Sequence, residues 1–292
     1  MEVLIPREIR NNYDGYNSLL TLHNQIYEQS SQTITLNFAN TRWFEANLSA
    51  VLGAIRSHFE EKGYAFQFIN LNLKLEDILR RNQFLNYSSN KTYQSVGNTV
   101  ITYRKFTPYE DLEFIDYIRT ELLSKPDFPR HSKMLGKKIN ESIFELFENA
   151  RTHGHCKHIY TCGQYYPNMN TKRMDITIVD MGNTIKTNVN EYLTQELSGS
   201  GAIEWAMQYG HTTKTGKVSG GLGLDIIWEF IKLNNGKIQI VSSDGYWEFH
   251  SGKIETKLFN NSFPGTIANI EFNLDDKDYY QLKEEISLDD IF

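Results

Sequence analysis

The sequence predicts a protein of the α/β class with two domains. The chain has 292 residues, which is enough for two compact domains that each bury a core. Residues 32–104 alternate between strand-like and helix-like segments, a pattern typical of a partly parallel sheet. Residues 132–274 begin with a long amphipathic helix and continue into several apolar strand runs. These observations place a first domain at 1–105 and a second at 106–292.

The first domain starts with a strand at 32–38, where β-branched residues alternate in QTITLNF. Residues 44–62 predict an amphipathic helix, and Gly63 stands where a left-handed cap is expected. Further strands are expected at 64–70 and 98–104, with a short helix at 75–82 between them. We expect right-handed crossovers to bring these strands into one sheet.

The second domain is expected to begin with a helix at 107–124, followed by a break with two prolines. Its main helix covers 132–152. The remaining expected elements are strands at 158–166, 174–179, 237–241, 246–250, 253–259 and 266–274, a short helix at 201–209 and a helix that ends at Asn234, capped by Gly236.

Three polar residues follow one stripe of the main helix. Glu141, Glu145 and Asn149 are spaced four apart, so their side chains stack along one face. An amide oxygen can bind a hard cation such as Mg²⁺, and a carboxylate one turn away can deprotonate a nearby water or hydroxyl. Alone, this pattern is more typical of a solvated helix face.

Three later motifs accompany this helix. Residues 176–182, ITIVDMG, end an apolar strand at Asp180 and Gly182. Residues 210–224, GHTTKTGKVSGGLGL, form a glycine-rich segment that opens a helix, and glycines there expose backbone N–H groups to an anion. Residues 264–272, PGTIANIEF, place a Gly-Thr pair at the start of a strand.

In this order, the four motifs resemble those of the GHKL ATPase family, which includes histidine kinases, DNA gyrase B subunits, MutL proteins and anti-sigma-factor kinases. FELFENARTHG is similar to the anti-sigma kinase N box, and TTKTGKVSGGLGL is similar to the lid and G2 box of histidine kinases. The resemblance covers roughly the last 160 to 185 residues, about one compact domain. It implies an α/β sandwich in which a mixed sheet is covered by helices on one face.

The resemblance also implies roles for individual residues. Asn149 would bind the Mg²⁺ that bridges the phosphates of ATP, and Glu145 would be the general base. Asp180 would accept a hydrogen bond from the exocyclic amine of adenine, and Gly182 would allow the backbone close to the ring. Thr266 matches the family threonine near the adenine.

The lid is expected at residues 186–220. Within and after it, the resemblance assigns phosphate contacts to Thr212, Thr213, Lys214, Gly221, Leu222, Gly223 and Leu224. The chain departs from the family pattern at two positions: Thr184 replaces the second glycine of the DxGxG motif, and Ser219 replaces the usual first glycine of the G2 box.

The first domain resembles a STAS domain, the fold of anti-sigma-factor antagonists, through ITLNFANTRWFEANLSAVLGAI and LEDILRRNQFL. Family members carry a phosphorylatable Ser or Thr at the start of a helix. Thr41 and Ser49 are the candidates, against ordinary capping or surface roles.

Histidines raise two further alternatives. His23 lies in a helical pattern, but it is followed by Asn24 and lacks the acidic neighbour and helical hairpin of a sensor kinase, so we expect an ordinary helix histidine. The cluster HGHCKH at 153–158 has neither CxxC nor HExxH spacing, which favours a turn over a zinc site.

Composition bounds the function further. The formal net charge of −6 gives no general attraction for nucleic acid or anionic membranes, and no apolar run has the length of a membrane span. Two cysteines, Cys156 and Cys162, suit a cytoplasmic location. The expected activity is therefore an ATP·Mg²⁺-dependent ATPase or Ser/Thr protein kinase that regulates a protein partner, with a homodimer suggested by analogy. The alternative is a nucleotide-gated interaction module with slow or no turnover.

Overall fold

The structure is a computed structural model that describes residues 1–29, 32–85, 99–167, 169–208, 211 and 225–285. Its N-terminal unit, residues 1–85, has a small parallel sheet and three helices. In chain order its elements are β1 (Glu2–Leu4), β2 (Glu8–Ile9), α1 (Tyr13–Tyr27), β3 (Thr33–Asn37), β4 (Trp43–Phe44), α2 (Ser49–Glu60), β5 (Ala65–Ile69) and α3 (Leu73–Arg81).

The C-terminal unit contains a larger sheet and the remaining helices. Its elements are β6 (Val100–Phe106), α4 (Asp111–Tyr117, continued by a π-helical turn over Ile118–Leu123), β7 (Arg130–His131), α5 (Lys133–Thr152), β8 (Ile159–Tyr166), β9 (Arg173–Asp180), α6 (Ile185–Leu193), α7 (Gly199–Ala206), α8 (Asp225–Asn234), β10 (Lys237–His250), β11 (Lys253–Asn273) and β12 (Tyr279–Tyr280).

The small sheet confirms the expected parallel pairing in the first half of the chain. Its strand order is β1-β3-β5, and both pairs are parallel. The left-handed cap after α2 is also present, because Gly63 has a φ of 87°. The third strand that we expected in this sheet, at 98–104, is not there. It forms β6, which pairs with β8 at the edge of the larger sheet.

The larger sheet has the strand order β10-β11-β9-β8-β6. Our expectation of a mixed sheet is wrong for the described residues, since all four strand pairs are antiparallel. The two strands expected at 237–241 and 246–250 are one continuous strand, and so are those at 253–259 and 266–274. The strands remain paired through a bulge at Ser242–Gly245, which lies between the two segments expected in the first of them.

The larger sheet is covered on both faces. On one face, Ile176 and Ile178 of β9 pack with Ile143 and Phe147 of α5 in a core that also includes α4 and α8. On the other face, Val179 packs in a second core with residues of α1 and α2. Helix α2 contacts β8 and β9 on one side and β5 on the other. The N-terminal unit therefore covers the face that our prediction left open.

Candidate functional site

A deep cavity lies between the helical face of the larger sheet and helices α5, α6 and α7. It contains about 780 Å³ of empty space, including the part that opens to solvent. The sheet supplies an apolar floor that includes Ile178, Ile240 and Ala268.

Helix α5 forms one wall of this cavity. Leu146, Asn149, Ala150 and His153 line it, and their spacing of three and four residues places them on one helical face. The helix is held at its start by Ser132, whose hydroxyl accepts a hydrogen bond from the amide of Leu135 at 3.0 Å. Asn149 therefore faces the cavity from the last turns of a continuous helix, at the position expected from the sequence.

Asp180 lies at the end of β9 and also lines the cavity. It is buried, and its Oδ1 accepts a 3.0 Å hydrogen bond from the amide of Gly182. Burial raises the pKa of the Asp180 carboxyl to about 8. The backbone amides of Gly182 and Thr266 favour the ionised carboxylate and so oppose part of this rise. Within the described residues no ion pair involves Asp180, so no lysine or arginine offsets the cost of ionising it.

The backbone is closely packed around Asp180. A Cβ atom at Gly182 would lie 2.1 Å from the carbonyl oxygen of Gly154, which accepts a 2.7 Å hydrogen bond from the amide of Asn183. At Gly265, with a φ of 154°, a Cβ would lie 2.1 Å from the carbonyl oxygen of Asp180. These two glycines bring the end of α5, the end of β9 and the start of the apolar part of β11 together.

Thr266 joins the cavity from the strand next to β9, directly opposite Asp180 in the sheet register. Its Oγ1 lies 3.1 Å from the hydroxyl of Ser242, which in turn donates to the carbonyl of Gly265 at 2.8 Å. The amide of Ile185, at the start of α6, donates to the same Ser242 hydroxyl at 2.9 Å. This small network fixes α6 against the sheet.

Helices α6 and α7 form the opposite wall, which our sequence analysis treated as part of a lid. Helix α6 was missed, although Thr184 caps it by accepting a hydrogen bond from the amide of Thr187. A threonine before an amphipathic segment is a capping signal that could have predicted it. Asn188 and Val189 of α6 and Trp205 of α7 line the cavity, and His211 packs on Trp205 with ring centroids 4.6 Å apart.

Two of the residues assigned by sequence lie beside the cavity. Gly182 shapes the turn after β9 and donates to Asp180. Glu145 lies half-buried on α5, one turn before Asn149, but is not among the described residues that line the cavity. Its neighbours on the helix are engaged elsewhere: Glu141 pairs with Lys138 at 2.9 Å, and Glu148 pairs with Arg151 at 2.5 Å.

The other predicted contacts lie outside the described residues. They are Thr212, Thr213, Lys214, Gly221, Leu222, Gly223 and Leu224. In sequence they lie between His211, which lines the cavity, and α8, which packs on the same face of the sheet. The structure thus brings together Asn149, Asp180 and Thr266 from three separate segments.

The described residues contain neither a cluster of metal-binding side chains nor a helix that could span a membrane. No group of three or more His, Cys, Asp and Glu side chains there is arranged to hold a metal ion, and the cluster at 153–158 is included in that statement. Within the same ranges, every helix is too short or too polar to cross a membrane.

The sequence was also compared with known proteins. It matches no protein-family model, and it matches no curated protein. The geometry of the cavity is therefore the basis for a functional proposal.

Proposed function

We propose that this protein binds ATP·Mg²⁺ in the cavity between α5 and α6, as a GHKL-type ATPase or a Ser/Thr protein kinase that regulates a protein partner. The observation that carries the proposal is the convergence of Asn149, Asp180 and Thr266 on one cavity. These residues come from three motifs that resemble the family pattern, and they lie 31 and 86 residues apart in sequence. An apolar floor with a few convergent polar groups is the usual composition of a pocket for a small ligand or cofactor.

Asp180 would select the base. When ionised, the Asp180 carboxylate is an acceptor without a donor of its own and would accept a hydrogen bond from the N6 amine of adenine. That bond would favour release of the proton that burial retains on Asp180 in the free protein. Guanine presents a carbonyl at the equivalent place, and two acceptors facing each other in a buried site are unfavourable. The close backbone packing at Gly154 and Gly182 would hold that carboxylate in place during binding.

Asn149 would hold Mg²⁺ through its side-chain oxygen. Because Mg²⁺ is commonly bound through one or two protein groups plus phosphate oxygens and water, a single amide ligand fits this role better than an all-protein cage. When bound, the ion would neutralise charge on the phosphates of ATP. Glu145, one turn earlier on α5, would take the proton from the attacking water or hydroxyl.

The binding part of the proposal is tested by titrating a fluorescent ATP analogue into wild type and Asp180→Asn. We expect at least a tenfold loss of affinity in the variant, and we expect wild type to prefer ATP over GTP. Asp116→Asn, at an exposed aspartate paired with Arg119, is the matched control and should bind like wild type. Equal affinity of Asp180→Asn and wild type would overturn the assignment of the base site.

The chemical step is tested with γ-labelled ATP and Mg²⁺, by separating free phosphate from label on protein. Free phosphate would identify an ATPase, and label on a Ser or Thr would identify a kinase. Under this proposal both reactions require Glu145. Its role as the general base would be contradicted if Glu145→Gln produced as much labelled free phosphate or labelled protein as wild type.

The alternative function is a nucleotide-gated interaction module with slow or no turnover. The position of Glu145 outside the cavity lining favours it, because a general base must come within hydrogen-bond reach of the reacting group. Under this alternative, ATP binds and protects the chain from unfolding, yet neither free phosphate nor labelled protein accumulates.

A further inference from the structure

A second cavity lies on the other side of the residues that form the candidate site. It is found where the C-terminal end of α2 approaches the segment that joins α5 to β8. His58, Glu61 and Lys62 line it from the N-terminal unit, and His155, Lys157 and His158 line it from the C-terminal unit. Tyr160, which is buried, and Met181 form its floor, and the empty space is about 750 Å³ including the open part.

The charges around this cavity are unbalanced. Glu61 is the one carboxylate among its described lining residues, and three cationic or imidazole groups already surround it. Lys105 Nζ lies 3.7 Å and Lys157 Nζ lies 3.6 Å from its carboxylate oxygens, and His158 Nε2 lies 3.4 Å away. The nearby Glu60 is paired with Arg56 at 2.7 Å. Lys62 therefore adds a positive charge that Glu61 does not offset.

The imidazoles add neutral donors to this positive field. Burial and the neighbouring lysines lower the pKa of His58 and of His158, so both rings are uncharged near neutral pH. A neutral imidazole still has one N–H donor. Because Nε2 of His158 already faces Glu61, the rings of His58 and His155 are the imidazole donors for an added anion. The cavity thus combines ammonium groups and imidazole N–H groups above a floor that includes the phenol ring of Tyr160.

We infer that this second cavity is a binding site for a tetrahedral oxyanion of the phosphate class, either free inorganic phosphate or the phosphate of a phosphorylated side chain. Such a group carries close to two negative charges at neutral pH and several strong acceptor oxygens. It matches an excess of lysine charge with several N–H donors, because charge-assisted hydrogen bonds to phosphate are the strongest that such groups form.

The site would stand back to back with the proposed nucleotide site. Consecutive residues line the two cavities: Gly154 faces the first and His155 the second, and likewise Asp180 faces the first and Met181 the second. His155 has a φ of 50°, a left-handed conformation that separates its side chain from the helix before it. An anion here would touch the residues adjoining Gly154 and Asp180, although its binding does not depend on the proposed function.

The test uses the full chain without nucleotide and with methionine methyl groups labelled by ¹³C. Inorganic phosphate and a phosphoserine peptide are titrated separately while the Met181 methyl resonance is followed. We expect a saturable shift at Met181 with at least one of them. A peptide that binds at least tenfold more tightly than phosphate identifies a phosphorylated protein as the source, and the reverse identifies the free ion.

Two variants are expected to change anion binding in opposite directions. Lys157→Ala removes one rim charge and should weaken binding about fivefold, whereas Glu61→Gln removes the competing carboxylate and should strengthen it by a similar factor. The matched controls are Lys257→Ala and Glu255→Gln, a pair 2.7 Å apart on β11 that changes net charge equally and should leave binding unchanged. The inference is overturned if Met181 does not respond to either probe, or if the control pair changes binding as much as the cavity pair.

Discussion

The side-chain amide of Asn11 donates a 3.0 Å hydrogen bond to Oδ1 of Asp175, a residue 164 positions later in the chain. Both residues are buried, and the contact joins the N-terminal unit to β9 of the larger sheet. The hydroxyl of Tyr16 donates to Oδ1 of Asn11 at 2.5 Å, and the backbone amide of Asn11 donates to the carboxylate of Glu45 at 2.9 Å. A single asparagine thus organises polar groups from both halves of the molecule.

This contact belongs to a wider polar layer between the two units. Arg173 pairs with Glu45 at 2.7 Å and with Asp175 at 3.0 Å. Asn47 of the N-terminal unit donates to Thr177 at 2.9 Å and to Asn269 at 3.2 Å. Because buried polar groups are costly when they lose their partners, this layer specifies one way of docking the units.

Asn11→Ala should therefore weaken the fold as a whole. It removes two side-chain hydrogen bonds and leaves the Tyr16 hydroxyl and one oxygen of Asp175 short of a buried partner. We expect the free energy of unfolding to fall by about 2–3 kcal/mol in urea denaturation. Asn40→Ala, at an exposed asparagine of the same unit, should change it by less than about 0.5 kcal/mol. Equal stability of the two variants would show that the polar layer contributes little.

Asp180→Asn should alter the pH dependence of stability. Burial raises the pKa of Asp180 to about 8 from an ordinary value of 3.8. Between these values the folded chain holds a proton that the unfolded chain releases, so stability is full at low pH and falls as the pH rises toward 8. The amide does not titrate, and the variant should lack this decline.

The measurement is urea unfolding of both proteins at about pH 5 and about pH 8. Between these two pH values, the free energy of unfolding of wild type should fall by roughly 1–3 kcal/mol more than that of the variant. Asp175, whose pKa is also raised by burial and by the carboxylate of Glu271, is present in both proteins and so does not contribute to the difference. Parallel pH profiles would show that Asp180 is ionised in the folded chain throughout this range.

Gly182→Ala should disrupt the candidate site through a steric clash, without changing any polar group of the site. The added methyl group would meet the backbone of Gly154, so the end of α5 and the turn after β9 would have to separate. We expect a loss of about 2–4 kcal/mol in unfolding free energy and a marked loss of nucleotide affinity.

The control for this change is Gly201→Ala in α7. Among the described residues, a methyl group there would lie 3.3 Å from the Ser198 hydroxyl and 3.8 Å from Cβ of Leu197, with no backbone atom in the way, and alanine favours the helix by up to about 1 kcal/mol. Its stability should be unchanged or higher. If both glycine variants behaved alike, the close approach at Gly182 would not be a constraint.

Glu145→Gln should separate binding from turnover. The substitution keeps the shape of the side chain but removes its ability to accept a proton, so the affinity for ATP should be unchanged and turnover should fall about a hundredfold or more. Glu141→Gln, one turn earlier and paired with Lys138 at the surface, is the matched control. Turnover that falls equally in both variants would assign the base to another residue.

Local signals predicted most individual elements. The period of apolar residues placed α5 within a residue of its observed bounds, and the structure adds the Ser132 cap at its start. The strand patterns at 158–166 and 174–179 correspond to β8 and β9. These elements depend on residues that are close in sequence. The pattern of apolar and polar residues along the chain is therefore sufficient to predict them.

Boundaries that depend on backbone conformation were less predictable. Gly236 was expected to cap α8, but the left-handed residue is Asn235, with a φ of 54°. Asparagine tolerates this conformation better than most residues, so either position could serve. Likewise the bulge position Gly245 requires glycine, because a Cβ there would lie 2.2 Å from the backbone of Gly199, a contact between distant segments.

The sequence by itself predicted most of the elements, the order of the motifs and the candidate residues Asn149, Asp180 and Thr266. Only the tertiary structure decided that β6 joins the larger sheet, that this sheet is antiparallel, and that the N-terminal unit covers its second face. Periodicity shows which side chains are buried but not what buries them. That choice is made by contacts such as Asn11 with Asp175, whose energy depends on both partners being removed from water together.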